Sequence, residues 1–95
     1  MMTHEELKMA ILNREGAQEE YDALEAEFEL LRVLLQARRD AGLTQAEVAE
    51  RMGTKPSAVA RLESALASGK HSPSVTTLRK YARAVNRRLE IRMVA

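Results

Sequence analysis

The sequence predicts an all-helical bundle built round a helix-turn-helix, preceded by a helical arm and followed by one short β-strand. Three observations lead there. Apolar residues make up 45% of the 95 positions and are mainly Ala, Leu, Val and Met, which suits helices packed on helices. Residues 44–63, TQAEVAERMGTKPSAVARLE, read as two short helices joined by a tight glycine turn. Apolar and polar residues alternate convincingly only in the tail LEIRMV, the period of a strand. The chain divides accordingly into an acidic arm (1–27), a helix-turn-helix domain (28–86) and a C-terminal dimerisation strand (87–95).

In chain order, Thr3 and Glu6 form a capping box that opens a helix over 4–15, with Leu7, Ile11 and Ala10 on its apolar side. Asn13 and Gly16 weaken that helix and predict a break or hinge. From Ala17 the pattern resumes: Tyr21, Leu24, Phe28, Leu31 and Leu35 recur at spacings of three and four, the stripe of an amphipathic helix that stops at Gly42. Leu30, Val33 and Leu34 widen the apolar face of its second half, which is expected in the core.

The motif follows. Thr44 and Glu47 make a further capping box, and Gly53, after Met52, supplies the left-handed residue of a sharp helix stop. Pro56 suits the first turn of the next helix, where a missing N–H costs nothing. Val48, Met52, Val59 and Leu62 supply the apolar contacts between the two, and Ala49 lies where the backbones must approach closely. This is the helix-turn-helix pattern, whose second helix enters the DNA major groove. SALASGKHSPS reads as a loop. Ser74 caps a last helix with Val75, Leu78, Tyr81, Ala82 and Val85 on one face, and Asn86 is its left-handed stop. A lone strand leaves its backbone groups unpaired, so the tail is expected to pair with its twin in a second copy through Leu89, Ile91 and Met93. The alternative is a frayed tail.

The net charge of +1 conceals a split. Residues 1–30 hold nine acidic and two basic side chains, a balance of −7, whereas residues 31–95 hold five and thirteen, a balance of +8. The basic part fits a phosphate backbone, and the acidic part would suit a basic protein. The alternative for the acidic part is a solvated face that keeps the chain soluble. With no cysteine, a disulfide framework and a thiolate zinc site are excluded. No apolar run approaches the roughly 18 residues of a membrane span, and no signal peptide is visible, so a cytoplasmic location is expected. His4 and His71 have neither metal-ligand spacing nor a nucleophile–base set around them, so no enzyme, metal site or cofactor is expected. Three aromatic residues, Tyr21, Phe28 and Tyr81, give no stacking platform for single-stranded RNA.

Candidate DNA-binding residues follow from the motif. Arg61 is the best base-reading candidate, because a guanidinium pairs with guanine through two bonds. Ser57 bonds several bases, while Pro56 and Ala58 offer only apolar contacts. Lys55 is expected on a phosphate, and Thr44 and Gln45 open the preceding helix, where Gln45 can bond a phosphate beside free backbone N–H groups. Arg38 and Lys70 on flanking segments extend the basic track, or are simply solvated. One domain reads three or four bases, so a two-fold dimer on half-sites about 34 Å apart is expected.

These residues carry a resemblance. GLTQAEVAERMGTKPSAVARLES, continued through SPSVTTLRKYARAV, resembles the Xre (Cro-like) helix-turn-helix family of bacterial and phage regulators over residues 28–86. That implies a lambda-repressor-like bundle that binds double-stranded operator DNA. The lead-in EEYDALEAEFELLRVLLQARRDAGLTQ together with the tail RRLEIRMV resembles HigA-type antitoxins. That resemblance implies that the N-terminal segment neutralises a small basic ribonuclease toxin of the RelE/HigB type, while the domain represses the shared operon. Leu7, Ile11, Tyr21, Leu24 and Phe28 would then be the apolar anchors for the toxin, or alternatively intramolecular core. Two features depart from the family: the loop after Glu63 is long, and Pro56 stands where a polar residue is common. The competing reading is a stand-alone repressor, phage-derived or not, whose N-terminal helices only support the domain.

Overall fold

The computed structural model describes residues 3–12, 17–69 and 72–95, without the side chains of Ile11 and Leu12. Five helices are present among them: α1 (His4–Leu12), α2 (Ala17–Asp40), α3 (Gln45–Met52), α4 (Pro56–Ser68) and α5 (Val75–Ala84). The core is the meeting of α2 through α5, where Leu34, Val48, Ala49, Val59, Leu66, Leu78, Tyr81, Ala84 and Val85 are buried. At about 25 cal/mol per Å² of apolar surface removed from water, each fully buried Leu or Val stabilises this bundle by about 1.5–3 kcal/mol.

Most helix ends follow the sequence. Thr44 accepts from the Glu47 backbone while Glu47 accepts from the Thr44 backbone, and Gly53 adopts φ 72°. Ser74 Oγ accepts from Thr77 N at 3.1 Å. Past Asp40 the chain turns at Gly42 (φ 70°), and Asn86 (φ 62°) follows α5 in the left-handed region. Thr3 Oγ accepts from Glu6 N at 3.1 Å and opens α1, which packs along α2. The break expected at Asn13 and Gly16 lies outside the described residues.

Two expectations need correction. The chain is all-helical, and no strand occurs among the described residues; the β-strand expected in the tail is not seen. Alternation alone does not make a strand, because its N–H and C=O groups need a neighbouring ladder and no described segment offers one. Leu89 instead packs against the helical core, whereas Ile91, Met93 and Val94 are 62%, 98% and 87% exposed. The second correction concerns the segment after Glu63, which begins as helix rather than loop. The stripe Val59–Leu62–Leu66 carries α4 to Ser68, and Gly69 ends it at φ 68° with its N–H on Leu66 O. Smaller differences are Val75 and Val33, both exposed rather than buried.

Candidate nucleic-acid interface

The geometry of α4 sorts its residues into two faces. Val59, Glu63 and Leu66 point inward and are buried, while Lys55, Pro56, Ser57 and Arg61 are exposed. Ser57 and Ala58 lie four and three positions before Arg61, so each neighbours Arg61 on the helix surface; Ala58 is half-buried. Lys55 is the N-cap, with no side-chain capping bond, and Pro56 occupies the first turn. The positive end of a helix dipole is therefore left beside an ammonium and a hydroxyl, an arrangement that favours a phosphate oxygen.

Shallow depressions flank this face and bring in residues that the motif did not indicate. One lies between the α3–α4 turn and α5, edged by Thr54, Ala58, Thr77 and Lys80. The other runs between Arg61, Ala65, Ser72, Pro73 and Thr77. Thr54, Thr77 and Lys80 thus stand beside Arg61 and Ala58. The sequence signal for them, a hydroxyl in a turn and a hydroxyl or ammonium on a mixed helix, is too common to single them out.

Behind the exposed face stands a buried polar cluster. The carboxylate of Glu63, 7% exposed, accepts from four donors on three other segments. Gln45 Nε2 donates at 2.8 Å and the Tyr81 hydroxyl at 2.9 Å. Arg38 donates from Nε at 3.2 Å and from Nη2 at 3.4 Å. Arg38 also reaches Leu43 O at 3.4 Å. Burial, with the hydrogen bond to Glu63 and its charge, raises the Tyr81 phenol above its ordinary range, so Tyr81 is a neutral donor at any physiological pH. Arg38 and Gln45, expected on the DNA backbone, are thus already engaged with Glu63. The sequence reading placed Tyr81 on an apolar helix face and gave Glu63 no role, so their pairing escaped it. Thr44 is exposed and occupied with its capping box, and the Thr44 N–H, followed by its hydroxyl, lowers the Glu47 pKa. Lys70 lies outside the described residues.

A helix-turn-helix family model (HTH_3) matches residues 34–91, more than half of the chain. The chain belongs to this helix-turn-helix family. It is a DNA-binding transcriptional regulator of the Xre type. The matched domain runs from the second half of α2 to the start of the tail, and leaves α1 and the first half of α2 outside. Neither curated proteins nor solved structures gave a match. Among the described residues no group of side chains is arranged to hold a metal ion, and no helix is long and apolar enough to cross a membrane.

The arm residues have definite surroundings. Leu24 is buried, and it shares a notch with Leu7, Glu27 and the Gly69 turn. Phe28 meets the His4 ring at 4.2 Å between centroids, and His4 also contacts Glu25. Lys8 lies over the Tyr21 ring, 5.4 Å from its centre. Tyr21, Phe28 and Leu7 are half-buried; the Ile11 side chain is not among those described.

Proposed function

We propose that this regulator is the antitoxin of a type II toxin–antitoxin pair. It represses its own operon as a homodimer, by sequence-specific binding through α4, and neutralises a small basic ribonuclease of the RelE/HigB type through its N-terminal arm. The supporting observation is the placement of charge. The arm outside the helix-turn-helix match carries the −7 balance of residues 1–30, nine acidic against two basic. Glu5, Glu6, Glu19 and Asp22 on it are exposed, beside the exposed Met9. A surface of that kind repels DNA and attracts a basic protein. Since Leu24 is already buried, the toxin would be held by the acidic rows and the outer faces of Leu7, Tyr21 and Phe28.

That same burial of Leu24 favours a second reading, a stand-alone Xre-type repressor whose arm is an integral support. Co-purification from cells carrying the native operon separates the two, with the full chain run beside a form lacking residues 1–23. The antitoxin recovers a small basic protein that the shortened form loses, while both bind the operator. A stand-alone repressor recovers none, and loses thermal stability on the same deletion.

A further inference from the structure

Between α2 and α5 runs a groove of about 590 Å³ that lies apart from the α4 face. Leu30, Val33 and Ala37 line it from α2, Leu78 and Ala82 from α5, and Leu89 from the tail. Val33 in its wall is 55% exposed, beside the half-buried Leu30 and Ala37 of the same helix. The chain then runs on from Leu89 and Glu90 at the groove's lip into Ile91, Met93 and Val94, all exposed. An open apolar groove and an unburied apolar tail therefore adjoin one another on the same surface.

From this juxtaposition we infer that the groove receives the tail of a second copy of this chain, residues 91–95, in a reciprocal two-fold exchange. This inference rests on the homodimer reading above and gives it a surface. A two-fold contact must be self-complementary, since the same patch faces itself. The charges of groove and tail together meet that condition: Glu29, Asp40 and Glu90 at the groove are matched in number by Arg87 and Arg88 beside them and by Arg92 on the tail. The matching is local, because residues 31–95 as a whole carry thirteen basic and five acidic side chains and two such surfaces repel one another elsewhere. The neutral patch is where the basic domains of two copies can approach. Five residues beyond Glu90 reach about 16 Å when extended, enough to lay Ile91 and Met93 across an adjoining groove. No β-ladder is needed, because the contact is made by side chains.

The test uses the full chain with Val33→Lys in the groove and Met93→Asp in the tail, both at exposed positions, with circular dichroism to show that the fold is kept. Sedimentation equilibrium should give a dimer for the parent chain and self-association weakened by about tenfold or more in each variant. Mixing the two variants should restore association above either alone. The heterodimer keeps one native tail-in-groove contact, and in the other it sets the ammonium introduced into the groove against the carboxylate introduced into the tail. A monomeric parent chain would overturn both the exchange and the dimer reading. A dimeric parent whose variants associate as tightly, or whose mixture gains nothing, would overturn the exchange alone.

Discussion

Glu63 illustrates how one residue organises a site without touching a ligand. Its carboxylate accepts from Gln45 Nε2 and from Arg38 Nε, so removing a donor leaves a buried charge short of partners. Arg38→Ala should destabilise the domain by about 3–5 kcal/mol, measured by urea unfolding; a loss of operator affinity at unchanged stability would instead place Arg38 on the phosphate backbone. Tyr81 gives the cluster a pH signature. Its phenol titrates higher in the folded chain than in the unfolded one, so its contribution is complete below the ordinary tyrosine range near pH 10 and is lost as pH rises through the folded value. Tyr81→Phe should lower stability at neutral pH and flatten its decline above about pH 10, as followed by denaturant midpoints. Arg61 stands outside this cluster on the exposed face of α4. Arg61→Ala is expected to weaken operator binding by about 1–3 kcal/mol and to relax one base position; an equal loss on every sequence would make it a phosphate contact. The exposed face was legible because α4 follows helical spacing. The cluster was not, because its partners lie 25, 18 and 18 positions from Glu63, and no local period carries that information.

At the scale of elements, ends were more legible than extents. Thr44, Gly53, Ser74 and Asn86 each act as their chemistry predicts, since capping is decided within four residues. The length of α4 was obscured by SALAS, whose serines suggest a loop while Ala65, Leu66 and Ala67 continue the helix. The true stop, Gly69, has a second duty. A Cβ there would lie 2.0 Å from Leu24 Cδ1, and φ is +68°. Gly69→Ala should therefore cost more than the roughly 1–2 kcal/mol of the left-handed backbone alone, because Leu24 must move and the α2 contact loosens with it. A thermal melt checks this, with Gly53→Ala as the comparison, since nothing lies within 4 Å of a Cβ at that position. The tail was misread for a different reason: a strand belongs to a sheet, and a single alternating segment contains only half of the evidence for one.

Across the whole molecule, charge separates what the fold joins. The net charge of +1 is nearly neutral, yet binding to DNA is governed by the basic domain and opposed by the acidic arm. Each ammonium that meets a phosphate releases counterions, so Lys55→Ala should reduce affinity evenly over all sequences and lower the slope of log K against log salt by about 1. An unchanged slope would remove Lys55 from the interface. The charge split between residues 1–30 and 31–95 was visible in composition alone. The docking of α1 was less so, because His4–Phe28 and Lys8–Tyr21 are contacts between elements that no single periodicity reports.

The helix α2 gives these two halves a common shaft. It runs unbroken through 24 residues, about 36 Å at 1.5 Å per residue, with its first turns in the arm and its last in the core. A partner gripping the outer end would be carried at a fixed distance and bearing from the DNA-reading face, as a load on a crank. Its orientation would be set by helical phase: one residue added to the shaft turns the load through about 100° while advancing it only about 1.5 Å. Whether two such loads on a two-fold dimer clash or clear one another would then depend on the number of residues in the shaft as much as on their chemistry.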